Sequence, residues 1–332
     1  MDRLFKTLTS PERLKDFRSS LYKELVEKFR STALEEKVPI WKPLNDWFRR
    51  AMILRIFGPK IRPAFVDRLQ YFENGMEKLM LPFSSVFARS ELKLREELVE
   101  ALREYIQGEH FIEGSKFIRE FIATCESEDL GLQDTTRLCL LVTIAFVGNL
   151  SNVGSWVTWW AASCPKRLSL IRKEINPCVA DAGVIKAADD PQLEFSNQTN
   201  DCPVLESTLK ETLRKTQESF TFRKVMKPLE IATASGQRYL LPENSLVVMA
   251  PRKNMTSEKI WDQPDDFRPS RFENHKLLAV QRHSGYTAAR LDSTHETDKR
   301  DQTHSQEMTK DQELSFQPFG GGKGLCEGRF LA

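Results

Sequence analysis

One thiol sits in a run of glycines near the end of this 332-residue chain: residues 316–332 read FQPFGGGKGLCEGRFLA, with Cys326 behind glycines at 320, 321, 322 and 324. A thiolate can act as a nucleophile or a metal ligand. Glycines let the backbone approach a ligand closely and take φ values that other residues resist. Phosphate binding fails on spacing. The P-loop needs a Lys followed by Ser or Thr, whereas Lys323 precedes Gly324, and Gly-x-Gly-x-x-Gly fits no register here. Two readings of Cys326 stay open: a buried structural thiol, or a thiolate presented to a metal on the face of a flat cofactor. Haem iron is the metal that takes a single protein thiolate.

Further groups able to do chemistry lie upstream. Glu211 and Arg214, in KETLR, are spaced i, i+3 and share one helical face. The pattern alone is cheap, because Glu27/Arg30 and Glu100/Arg103 repeat it as solvated pairs of little energetic weight. Further on, FRPSRF carries Phe267, Pro269, Arg271 and Phe272. The most apolar stretch, AFVGNLSNVGSW, holds Asn149, Ser151 and Asn152, polar residues that either face a ligand or bond their own helix backbone.

Taken in order, these segments resemble one family, the haem-thiolate monooxygenases or cytochrome P450s. The family's ligand signature, Phe-x-x-Gly-x-Arg-x-Cys-x-Gly, is matched by Phe319, Gly320, Gly322, Cys326, Gly328 and Ala332, with Gly324 where Arg or another polar residue is usual. The resemblance extends to Glu-x-x-Arg at Glu211 and Arg214 and to Phe-x-Pro-x-Arg-Phe, whose arginine, here Arg271, joins that pair in a buried structural network. A guanidinium on each side of Glu211 satisfies a carboxylate that could not otherwise be buried. Arg223 falls where the family often sets a cation against a haem propionate; otherwise it is a surface arginine on a strand edge. The family's Ala-Gly-x-Asp/Glu-Thr is replaced by Ala145-Phe146-Val147-Gly148-Asn149, so both proton-handling side chains are missing and Asn149 stands at the threonine position. That helix looks like the branch containing prostacyclin synthase and the sterol 7α- and 12α-hydroxylases, and with FGGGKGLC it looks most like fungal members.

The elements that must position these groups form a mainly α chain with a small β-sheet, an incomplete cytochrome P450-like fold in a single domain. Residues 1–130 read as successive amphipathic helices, including LKDFRSSLYKELVEKFRS and SELKLREELVEALREYIQG. A long central helix is expected over 134–163, with Asp134 as N-cap and Pro165 as stop. Residues 202–332 supply the Glu211 helix, short strands at FTFRKVM, LEIAT, RYLL and SLVVMA, and the cysteine loop. A polar insertion at 274–313, poor in apolar residues, is expected to be disordered, and its histidines 275, 283, 295 and 304 match no zinc spacing.

Composition narrows the remaining classes. A formal net charge of +2 gives no basic patch for nucleic acid. The six cysteines form no CxxC pair, which fits free thiols better than a disulfide or zinc scaffold. No signal sequence or anchor is read at the N-terminus, and the apolar run 138–147 is too short to span a bilayer, so no membrane span is expected. The resemblance implies haem held by Cys326, O₂, electrons from NADPH through NADPH-cytochrome P450 reductase, and an apolar small-molecule substrate near Asn149. The family usually works at the cytosolic side of the endoplasmic reticulum, often in secondary metabolism. Isomerase or dehydratase chemistry on a peroxide is the second expectation; a shortened, haem-free chain without catalysis is the third. Measured against the family, an anchor, a sheet subdomain and a propionate-holding helix are expected to be missing before Met1, and the helix that begins just after Cys326 is expected to be cut at Ala332, without the turn that shields the proximal haem face or the final substrate-lining hairpin.

Overall fold

The computed structural model describes Leu21, Leu25 and residues 41–80, 83–181, 202–217, 220–233, 235–273 and 308–320. Two compact units emerge. One comprises residues 1–168, 175–199 and 327–332, the other residues 169–174 and 200–326.

The first unit is helical: α1 (Trp41–Phe57), α2 (Pro63–Gly75), α3 (Arg89–Gln107), α4 (Lys116–Ser127), α5 (Leu132–Thr143) and α6 (Asn149–Ala162). Apolar stripes at helical spacing give these segments a common interior, in which Phe57, Phe65, Leu69, Leu98, Leu102, Phe121 and Val147 are fully buried. Caps fix some ends. Pro63 opens α2 at a position where a missing N–H costs nothing, and the Ser115 hydroxyl accepts from the Ile118 N–H at the start of α4.

The central helix expected over 134–163 runs from Leu132 to Ala162, with Gly131 rather than Asp134 at the N-cap; Asp134 lies in the first turn. It is not uniform. Between α5 and α6 a widened π turn spans Ile144–Gly148, a distortion that often marks functional positions. The Ser151 hydroxyl donates to the Val147 and Gly148 carbonyls at 2.6 and 3.1 Å, the back-bond to its own helix that Ser155 and Thr158 repeat further along. The whole helix is long and apolar enough to cross a membrane by length and composition, which the shorter apolar run did not suggest. Half of its most apolar window is nevertheless buried inside the protein, as in the core helix of a globular unit.

After α7 (Pro165–Asp181), the second unit contains α8 (Pro203–Thr216), strands β1 (Thr221–Lys224), β2 (Leu229–Ala232), β3 (Arg238–Leu241) and β4 (Leu246–Met249), then α9 (Pro251–Met255) and α10 (Lys310–Ser315). The strands fall where alternation and β-branched residues place them. Instead of one sheet they make two antiparallel pairs, β1–β4 with Phe222 opposite Val248 and β2–β3 with Ile231 opposite Tyr239. The end of the polar insertion is also corrected: Thr309 caps α10 in a reciprocal capping box with Gln312, so Lys310–Glu313 is helix rather than disordered chain. Residues 274–307, with the four histidines, lie outside the described residues.

Candidate functional site

The second unit is built around a charged pair with no access to water. On α8, Glu211 and Arg214 are both fully buried, and the guanidinium meets the carboxylate side-on, Nε to Oε2 at 2.7 Å and Nη2 to Oε1 at 2.8 Å. This fork-to-fork geometry is the strongest neutralisation a carboxylate can receive from a side chain. The rest of each group is also satisfied. Arg214 donates to the Met255 and Pro264 carbonyls at 2.7 Å each, and Glu211 Oε1 accepts from the Arg268 backbone N–H at 2.9 Å. Arg214 also lies over the Trp261 ring, 5.3 Å from its centroid. Arg271 adds a second cation at longer range: its Nε is 3.6 Å from Glu211 Oε1, while Nη2 donates to the Gln263 carbonyl at 2.8 Å. Desolvation lowers the pKa of Arg271.

This network leads toward the glycine run. Phe272, next to Arg271, packs between Trp261 and Phe316 with its ring tilted against both, centroids 5.8 and 4.7 Å away. The chain then turns so that the Gly320 N–H donates to the Gln317 carbonyl at 3.1 Å. Gly320 takes a φ of 78°, the left-handed region that favours glycine. Phe319 and Gly320 are half-buried. Gly322 and Cys326 lie outside the described residues.

Neither Arg223 nor Asn149 is a member of this hydrogen-bonded cluster. Arg223 is exposed on β1 and donates to the Phe222 carbonyl at 2.9 Å. Asn149 belongs to the other unit; it is exposed at the end of the π turn, and its Nδ2 donates to the Ala145 carbonyl at 2.9 Å. Asn152 accepts instead from Asn45 Nδ2 across the α1–α6 contact, at 2.8 Å. Among the described residues no group of three or more His, Cys, Asp or Glu is arranged to hold a metal ion.

One polar cluster escaped the sequence reading. Arg49 of α1 and Glu73 of α2 form a buried ion pair beside the π turn, and Arg49 Nη2 also donates to Asn45 Oδ1 at 3.4 Å. The available signal was an arginine and an asparagine in register with the apolar stripe of α1, at Leu44, Asn45, Arg49, Met52 and Ile56, where a surface helix would place only apolar residues.

A family model for cytochrome P450 matches residues 3–332. The chain belongs to the cytochrome P450 family. Members use a haem iron ligated by a cysteine thiolate. Similar P450 proteins include cytochrome P450 7A1 of Sus scrofa, 20% identical over 272 residues, covering 80% of this chain and 48% of that protein. Prostacyclin synthase of Homo sapiens is 24% identical over 163 residues, covering 48% of this chain and 32% of its own length. The chain thus spans about half or less of these curated relatives. Retinoic acid bound cyanobacterial CYP120A1 superposes with a TM-score of 0.69 at 16% identity, covering 98% of this chain and 66% of that structure, a likeness of P450 fold.

Proposed function

We propose that this P450 chain carries the haem-binding part of a haem-thiolate monooxygenase that inserts oxygen into an apolar small molecule, and that residues 1–332 belong to one P450-like domain. The observation that carries the reading is the fully buried Glu211–Arg214 pair, joined through Phe272 to Phe316 at the root of the glycine run. A charged pair in this setting is costly to bury, and here it fixes a segment that ends in a left-handed turn at Gly320, six positions before Cys326 in the sequence.

The residues present fit a haem. Gly320 already holds a conformation that opens the glycine run, Cys326 offers one thiolate, and Arg223 offers an exposed cation for a propionate. Haem bound through a thiolate supplies activation of O₂, with electrons from a reductase partner. The chain's own part is positioning: Glu211, Arg214 and Arg271 hold the segment that leads to the cysteine, Phe319 and Gly320 start the motif to which Gly322 belongs in sequence, and Asn149, whose Nδ2 is given to the Ala145 carbonyl, offers its Oδ1 as an acceptor to a polar group without titrating. A plant-type or fungal secondary-metabolite substrate is the finer reading, supported by similarity to 2-hydroxyisoflavanone synthase of Glycine max at 23% identity.

A second reading, isomerisation or dehydration of a peroxide, is supported by the similarity to prostacyclin synthase, while Gly148-Asn149 in place of the acid and hydroxyl does not choose between the two chemistries. Dependence on NADPH and reductase separates the two. The first test is the reduced, carbon-monoxide difference spectrum of the haem-reconstituted chain beside Cys326→Ser. A red-shifted Soret band that the variant lacks is expected; failure to take up haem, or an unchanged band in the variant, overturns the haem-thiolate reading.

A further inference from the structure

The π turn of the central helix is occupied from outside. A Cβ added at Gly148 would meet Glu73 Oε1 at 2.9 Å, its Cδ at 3.2 Å and Oε2 at 3.3 Å, so the carboxyl of α2 fills the space where a side chain at 148 would begin. The two oxygens are treated differently. Oε2 pairs with Arg49 Nη1, whereas Oε1 is buried with no hydrogen-bond partner in the protein. An ionised carboxylate oxygen shut away from water and donors is unfavourable, and protonation removes most of that penalty. Burial is the main influence on this group and raises its pKa; the Arg49 charge and hydrogen bond oppose it.

The surrounding groups leave little else to titrate there. From α1, Arg49 faces the carboxyl, while Arg50 is engaged with Asp46 and Asp67. From the central helix comes Gly148, with Asn152 tied back through Asn45. The ionic contacts of α2 with α3, Arg62–Glu104 and Arg68–Glu97, lie on the exposed surface.

We propose that Glu73 is the proton-holding carboxyl of the π turn: standing in the space left by Gly148, its Oε1 binds and releases a proton one residue before Asn149, while Arg49 fixes the other oxygen. The step is proton exchange alone. When the turn opens far enough to admit a water, the O–H bond at Oε1 breaks as one forms on that water, no electrons move, and the carboxylate left behind keeps its pairing with Arg49. The sequence lacks an acid at 148; the fold brings one there from a neighbouring helix. What the proton is used for rests on the haem-thiolate reading, but the site itself does not.

The test follows carboxyl protonation in the full chain by infrared difference spectra between pH steps, in wild type, Glu73→Gln, Gly148→Ala and the double variant Glu73→Ala/Gly148→Asp, whose shortened residue 73 leaves room for the new side chain. Expected is a protonated-carboxyl band that titrates above the ordinary glutamate range, disappears in Glu73→Gln and returns in the double variant. In the haem-loaded chain with reductase, product formed per NADPH consumed is expected to fall about tenfold or more in Glu73→Gln and to recover when the acid is relocated to 148. A band that survives in Glu73→Gln overturns the proposal. A lost band with unchanged product yield upholds Glu73 as the proton-holding carboxyl and overturns its use in the reaction. Should Glu73→Gln fail to fold, Gly148→Ala decides, because its methyl presses on Oε1 without altering any charge: the band must shift, and an unmoved band refutes the site. Absence of the thiolate band in wild type would sink the haem reading while the infrared result still decides Glu73.

Discussion

Replacing Glu211 by Ala is expected to be among the most damaging single changes in the second unit. The substitution strips Arg214 of both carboxylate hydrogen bonds, at 2.7 and 2.8 Å, and leaves a fully buried guanidinium facing only carbonyls and the Trp261 ring. It also removes the acceptor of the Arg268 N–H. Breaking a buried pair from one side costs about 3–5 kcal/mol, because the surviving charge is left uncompensated. The orphaned N–H is worth about 1–3 kcal/mol, but it shares the same carboxylate oxygen, so the two costs are not additive. Glu100→Ala provides the internal control. It breaks an i, i+3 pair of the same composition, Arg103 Nη1 to Glu100 Oε2 at 2.6 Å, that lies in solvent. Such pairs are worth about 0.2–1 kcal/mol. Native-state hydrogen exchange of the α8 amides reads the difference locally, without requiring the two units to unfold together. Protection in α8 should fall between about a hundredfold and a few thousandfold in Glu211→Ala. The corresponding loss for Glu100→Ala, read in α3, should be under about tenfold. Equal losses in the two variants would refute the claim that burial separates the two pairs.

Other measurements probe other parts of the molecule. Tyr105 is buried and donates to the Phe57 carbonyl, and burial is the main cause of its raised pKa. The folded state therefore keeps the phenol proton to higher pH than the unfolded chain, so the first unit should lose stability as pH rises above the free phenol value of about 10, and Tyr105→Phe should flatten that slope. Cys139 is fully buried, with its thiol pushed up to about 12. Against an ordinary thiol value of 9, that leaves about a thousandfold less thiolate, so iodoacetamide at mildly alkaline pH should label the half-buried Cys164 well before it. Rapid labelling of Cys139 in the folded chain would contradict its placement. Gly320→Ala must force a methyl-bearing residue to a φ of 78°, costing about 1–2 kcal/mol, and should weaken haem retention in a dialysis assay while leaving α8 exchange unchanged.

What a linear sequence can reveal here is set by whether the signal is local. The strands around Phe222, Ile231, Tyr239 and Val248 announce themselves through neighbouring residues, and each appears where it was expected. Their division into two pairs does not, because pairing is chosen by partners 28 or fewer residues away rather than by composition. The Glu211–Arg214 spacing was visible, yet it is indistinguishable in sequence from Glu100–Arg103; order along the chain and the following FRPSRF segment separated them, and the fold gives the physical reason, full burial against solvent exposure. Even there the sequence overstated one detail. Arg271 approaches Glu211 only to 3.6 Å, and the closer contact comes from a backbone N–H, at Arg268, which no side-chain motif encodes. The polar insertion read as featureless because its apolar content is low, but Thr309 and Gln312 carry a capping signal three residues apart that composition alone averages away. Glu73 was the least accessible of all. Its significance lies in a glycine 75 positions later, and a missing side chain has no signature until the fold shows what stands in its place. The loss of an acid from the central helix therefore does not mean the loss of an acid at that turn.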